Sequence, residues 1–160
     1  MDATFPLNKT VYVSCDEKTL CNHPDCIAVT DHEEADTRIF LHLKDALAKG
    51  FQYIGIQSLD TDVFVIMLGH IHQLEATYNF TDIVLESHRK KESGQVGMKS
   101  LVERLWHAFC QSVPFLHCIS GTDTTSAFCG IGKKKALGAM KAFSEATRVF
   151  GSLFSLHFNP

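Results

Sequence analysis

The chain lacks any apolar run long enough to cross a membrane. The longest, Val63–Gly69 and parts of 101–120, fall short of the roughly 20 residues that a spanning helix needs. The first residues include Asp2 and Lys9 and contain no apolar stretch, so no secretory leader is expected. Cysteines, six in all, are too few for a disulfide-dense miniprotein. Without a leader they are expected as free thiols in a reducing compartment. Charge of one sign is also missing. Fifteen Lys and Arg stand against 18 Asp and Glu, a net charge of −3, so any basic footprint for nucleic acid has to be local. No internal repeat and no low-complexity tract is present, which argues against a fibrous chain or a disordered tail.

What remains is the profile of one globular domain over residues 1–160, with 45% apolar and 21% charged residues, enough for a single real core. Residues 1–31 read as an N-terminal hairpin and loop. The segment Lys9–Cys15 alternates weakly, pairs with Thr19–Cys21 through Asp16–Lys18, and leads into a loop over Asn22–Asp31. Residues 32–128 read as an α/β core. A helix is expected from about Glu33 to Lys49, with Ala35, Ile39, Leu43, Ala46 and Leu47 as its buried stripe. Acids crowd its first turn, and Gly50 stands where a terminating glycine belongs. Phe51–Gln57 reads as a buried strand and Tyr78–Glu86 as another. Val63–Leu68 fits strand or helix. Arg89–Gly97 reads as a surface loop, Leu101–Phe109 as a helix, and the chain after Pro114 as a loop. Residues 129–160 hold a helix over Lys133–Glu145 and a short one over Phe150–Phe158. Helices alternating with apolar strands predict an α/β fold with a mostly parallel sheet.

Acidic residues fall at the ends of these elements. Glu34 and Asp36 open the first helix, Asp60 and Asp62 follow the first apolar strand, and Asp123 sits in a Ser-Gly-Thr-Asp turn. In an open parallel sheet, ligands bind outside the carboxyl ends of the strands. Carboxylates converging there repel one another unless a hard divalent cation such as Mg²⁺ or Mn²⁺ relieves them. Two such ions would clamp the attacking and leaving oxygens of a phosphodiester. A plainer reading stays open for each pair: a dipole-complementing acid cluster for Glu34 and Asp36, and an Asx-type turn for Asp60-Thr61-Asp62.

A second constellation is Gly130-Ile131-Gly132-Lys133-Lys134-Lys135. Two glycines lead into a helix whose exposed N–H groups and positive dipole end suit a phosphate, and three lysines add local charge. The alternative is a turn followed by a solvated lysine face. Cys15, Cys21, His23 and Cys26 have the composition of a Cys3His zinc set. Their spacing matches no zinc-finger pattern, and zinc is not expected there. Cys110 and Cys118 read as small core residues, and Cys129 as partly exposed beside the glycine turn. His42, His70, His72, His107 and His117 show no helical His-x-x-x-His pairing. No string supports a Cys–His nucleophile.

The order of these pieces, Glu-Ala-Asp, Asp-Thr-Asp, Gly-Thr-Asp and Gly-Ile-Gly-Lys, resembles the flap-endonuclease (XPG-type) nucleases of the PIN-like superfamily. The strings His32-Glu33-Glu34-Ala35-Asp36-Thr37-Arg38-Ile39, Asp60-Thr61-Asp62-Val63 and Ser120-Gly121-Thr122-Asp123-Thr124-Thr125-Ser126-Ala127-Phe128 look more closely like a PIN-like module of mobile-element-derived eukaryotic proteins. The resemblance spans roughly residues 9–146 and implies a three-layer, PIN-like or Rossmann-like α/β fold with a C-terminal helix–turn–helix. It implies Glu34, Asp36, Asp60, Asp62 and Asp123 as metal ligands, with the four aspartates catalytic. Gly130, Gly132 and Lys133 would contact backbone phosphate, with Lys134 and Lys135 beside them.

Active relatives begin with a strand ending in a further metal-binding aspartate. No convincing counterpart precedes Glu34, so the module looks truncated at its N-terminus, a fragment or decayed copy. Weakened Mg²⁺ or Mn²⁺ binding and poor cleavage by the isolated chain are therefore expected. The expected partner is DNA or RNA, with no membrane, for a monomer or a module of a larger protein. The expected location is intracellular, nuclear rather than cytoplasmic. Two other readings stay open: a non-catalytic nucleic-acid-binding or protein-interaction module, and a small zinc-stabilised structural domain.

Overall fold

A computed structural model describes residues 11–15, 18–21, 35–89, 92–122 and 125–157. The expected loop at Asn22–Asp31, the acids Glu33 and Glu34, and Asp123 lie outside the described residues. The protein is α/β. Its first element is the expected hairpin, β1 (Tyr12–Cys15) paired antiparallel with β2 (Lys18–Cys21), forming a sheet of its own.

The next unit is helix, strand, helix, strand. Helix α1 (Ala35–Ala48) buries Phe40, Leu43 and Leu47, while Ala35 is exposed and Ile39 half-buried, so the buried stripe is shifted from the expected one. The helix stops at Gly50, whose φ is +84°. Gly50 N–H donates to Leu47 O and Phe51 N–H to Ala46 O. That is the Schellman closure of a helix end, which needs a left-handed residue. Strand β3 (Tyr53–Gln57) follows. It is covered on one face only: Ile56 is buried and Ile54 packs on the core, whereas Tyr53, Gly55 and Gln57 are exposed. The expected buried strand over Phe51–Gln57 is corrected to one buried on a single face.

The ambiguous segment Val63–Leu68 is helix, inside α2 (Thr61–Thr77). Asp60 supplies the start, its Oδ1 accepting from Asp62 N–H at 2.9 Å, and such a cap satisfies one orphan donor of the first turn. Val63, Met67, Ile71 and Leu74 then recur on one face and are buried. Strand β4 (Asp82–Arg89) runs parallel to β3. The expected surface loop at Arg89–Gly97 is instead largely strand. Residues Glu92–Gly97 form β5, antiparallel to β4 and at the edge of a three-stranded sheet of order β3-β4-β5. An edge strand needs no apolar alternation, because backbone pairing alone holds it, and its polar composition hides it from pattern reading. The described sheet is therefore mixed, with one parallel and one antiparallel pairing.

The remainder is helical. The single helix expected over Leu101–Phe109 is two, α3 (Met98–Leu105) and α4 (His107–Ile119), broken at Trp106 with φ +48°. The expected loop after Pro114 is also corrected: α4 runs through Pro114 to Ile119. A proline inside a helix costs about 3 kcal/mol. Here the surrounding turns bury Phe109, Cys110, Leu116 and His117 as well as Pro114, and that packing outweighs the lost hydrogen bond. The expected helix Lys133–Glu145 divides at Phe143 into α5 (Lys133–Ala142) and α6 (Ser144–His157), and the short terminal helix is the end of α6.

The main core joins α1, α2, β3, β4, α3 and Cys110 of α4. A smaller cluster joins Phe109 and Leu116 of α4 to Met140 of α5. Leu105 and Val113 pack against both, so the C-terminal helices continue the core.

Candidate metal centre

Three local features bring carboxylates to one place. Asp36 lies in the first turn of α1. Strand β3 ends at Gln57, and Ser58 N–H donates to Glu86 O, extending the ladder to β4 by one residue. The chain then turns: Asp60 N–H donates to Ser58 Oγ at 3.0 Å and Asp60 caps α2. Asp62 follows in that helix's first turn. Carboxylate oxygens of Asp36, Asp60 and Asp62 all lie within 4.8 Å of one another. They sit at the carboxyl end of a parallel strand, where open α/β sheets place ligands.

The Asx-type turn at Asp60 and the convergence of the three acids are thus both present at the same place. A cleft of about 230 Å³ adjoins Asp60, lined also by Ser58, Phe64, Glu86, Gly94 and Val96.

Sequence reading missed one member of this group. His117, in the last turn of α4, directs Nε2 to Asp62 Oδ1 at 2.8 Å and is itself nearly buried. With Nε2 protonated, the imidazole donates and the carboxylate accepts. Fifty-five residues separate the two, and no local spacing signals the pair; only the packing of α4 against α2 creates it.

Next to it, burial pushes the Cys118 thiol pKa up, and the Asp62 charge pushes it further. Burial pushes Cys110 to about 11. Both thiols hold their protons near neutrality and are not activated nucleophiles. Cys110 is buried as expected, Cys118 is half-buried, and Cys129 is exposed.

The donor set suits a hard divalent cation. Asp36, Asp60 and Asp62 offer only oxygen, and among the described residues no Lys or Arg pairs with Asp60 or Asp62. Close anionic oxygens match the chemistry of Mg²⁺ or Mn²⁺ better than that of a softer ion. Glu34 and Asp123 fall outside the described residues, as do the side chains of Cys15, Cys21, His23 and Cys26. The residues flanking Asp123 are tied to α4: Thr125 Oγ1 donates to Cys118 O at 2.7 Å, and Thr122 N–H donates to Thr125 Oγ1.

The glycine–lysine constellation forms a turn into α5. Gly130 has φ +74°, and Gly132 occupies the N-cap with no side chain capping it. Lys133 and Lys134 are exposed at the helix start. Lys135 Nζ donates to Gly130 O at 3.0 Å, so this lysine closes the turn on itself.

No family model matches this chain, and comparison with curated proteins and with solved structures finds no match either.

Proposed function

We propose that the chain is a PIN-like, Mg²⁺- or Mn²⁺-dependent nuclease-type module that acts on or binds nucleic acid. The observation that carries this reading is the convergence of Asp36, Asp60 and Asp62 within 4.8 Å at the carboxyl end of β3. The resemblance adds Glu34 and Asp123 to the ligand set, a three-layer fold around the sheet, and a helix–turn–helix around the Gly130–Lys135 turn.

When bound, a divalent cation would polarise a phosphodiester and lower the pKa of water. The chain's own part is to hold its ligands. The Asp60 cap fixes the start of α2, and His117 orients Asp62 through Oδ1, leaving Oδ2 for a ligand. The uncapped N-terminus of α5, with Lys133 and Lys134, suits a backbone phosphate.

A non-catalytic nucleic-acid-binding module is the second reading. It is favoured by the exposed lysines at an uncapped helix start, which need no metal to bind phosphate.

One experiment separates the two. Mn²⁺ is titrated into the wild type and the Asp62→Asn variant, and both are incubated with labelled DNA and RNA. The nuclease-type reading expects Mn²⁺ binding that weakens at least tenfold in Asp62→Asn, together with Mn²⁺-dependent cleavage, however slow, that the variant loses. Nucleic-acid binding equal in both proteins, with no cleavage and no Mn²⁺ bound, overturns it in favour of the second reading.

A further inference from the structure

Helices α2 and α4 lie antiparallel and meet at both ends. At one end Asp62 pairs with His117. At the other, His72 and Glu75 near the end of α2 face His107, the first residue of α4. Ten residues separate the paired positions on each helix, about 15 Å of rise, so the far end is spatially distinct from the carboxylate group around Asp62.

There one nitrogen each of His72 and His107 and a carboxylate oxygen of Glu75 lie within 4.8 Å of one another. The two imidazoles meet edge to face, with centroids 4.1 Å apart. Among the described residues no Lys or Arg pairs with Glu75. Spacing i, i+3 puts His72 and Glu75 on one helical face, and the left-handed backbone at Trp106 ends α3 and sets His107 at the start of α4.

We propose that His72, Glu75 and His107 form a second metal site, taking a borderline transition-metal ion such as Zn²⁺ and tying the end of α2 to the start of α4. Two neutral imidazoles and one carboxylate are ligands that Zn²⁺ favours over the hard, all-oxygen preference of Mg²⁺. In tetrahedral coordination with bonds of about 2.1 Å, ligand atoms stand about 3.4 Å apart. Small side-chain rotations bring this triad to that spacing. His72 and His107 are both exposed and Glu75 is half-buried, so the rings have room to turn. Three protein ligands leave a position for water. The site is independent of the reading of the Asp62 group: it uses other residues and another class of ion.

The test is Zn²⁺ titration of the metal-stripped full chain by calorimetry, with Co²⁺ absorption as the spectroscopic probe of ligand type. Wild type is expected to bind Zn²⁺ at a site that persists in Asp62→Asn and in the triple variant Cys15→Ser, Cys21→Ser, Cys26→Ser. Affinity at this site is expected to fall more than about a hundredfold in His72→Gln/His107→Gln, beyond the loss typical of an outer-sphere change. Glu75→Gln is expected to weaken it less and to shift the Co²⁺ spectrum. A Zn²⁺ isotherm unchanged in the double histidine variant overturns the proposal, as does wild type that binds no Zn²⁺ or loses all binding in the cysteine variant. Circular dichroism checks folding, and Glu75→Gln decides the matter should the double variant not fold.

Discussion

Replacing His117 by alanine perturbs the contact between α4 and the candidate metal centre most directly. The imidazole is 8% exposed and its Nε2 stands 2.8 Å from Asp62 Oδ1. A hydrogen bond to a charged group contributes about 1.5–3 kcal/mol. Asp62 is 41% exposed, so water re-solvates it once the ring is gone, and about 1 kcal/mol is the fitting figure. Removing a nearly buried ring adds a packing loss of about 1 kcal/mol. The sum of about 2 kcal/mol lowers the melting temperature by roughly 4–8 °C in a chain of this size.

Measured in EDTA, thermal unfolding is expected to show that drop for His117→Ala. About half of it returns in His117→Gln, whose amide nitrogen can stand where Nε2 stands. A double-mutant cycle with Asp62→Ala is expected to give a coupling of about 1 kcal/mol. Calorimetry with Mn²⁺ then adds the functional readout: loss of the group that orients a ligating carboxylate weakens the ion about 10–100-fold. A coupling indistinguishable from zero refutes the energetic argument. Equal or tighter Mn²⁺ binding by His117→Ala refutes the role given to His117, because the imidazole would then be competing with the ion for Asp62.

Two further outcomes follow from other parts of the molecule. Burial holds the His70 pKa below its ordinary value of 6.5, against the hydrogen bond that His70 Nδ1–H donates to Gln73 Oε1 and with help from the Lys44 charge. The unfolded chain therefore binds this proton more readily, and stability falls as pH drops through about 6.5 and levels off below the folded value. Urea midpoints taken between pH 8 and 5 should show the fall in wild type and a shallower one in His70→Gln; parallel profiles contradict the assignment. For the turn into α5, Lys133→Gln/Lys134→Gln should reduce the slope of log K against log salt for duplex binding by about 2, near one per lost phosphate contact. Lys135→Gln alone should change that slope little, since its ammonium already serves Gly130 O, and equal slopes for wild type and the double variant leave a merely solvated lysine face.

Much of the fold was legible because its signals are local. The Gly50 stop, the helical state of α1, the β1–β2 hairpin and the strand before Asp60 each rest on residues within one or two turns of one another, where propensity and capping decide. The same holds for Asp60 and Asp62, whose place after a strand marked them before any packing was known. Residue order also carried the resemblance on which the proposed function leans.

Tertiary structure alone decided the rest. β5 is strand because β4 offers it a ladder, and its polar residues carry no pattern of their own. Pro114 sits inside α4 because neighbouring helices bury the turns around it and offset the missing hydrogen bond. Val63–Leu68 is helix in a setting that covers it nearly all round: Val63, Met67 and Leu68 lie in the main core and Phe64 and Ile66 pack against it. The groupings with chemical content, His117 with Asp62 and His107 with His72 and Glu75, join positions 32 to 55 residues apart. Chain spacing cannot encode such pairs; they exist only because α4 packs antiparallel on α2 and brings distant side chains within bonding distance.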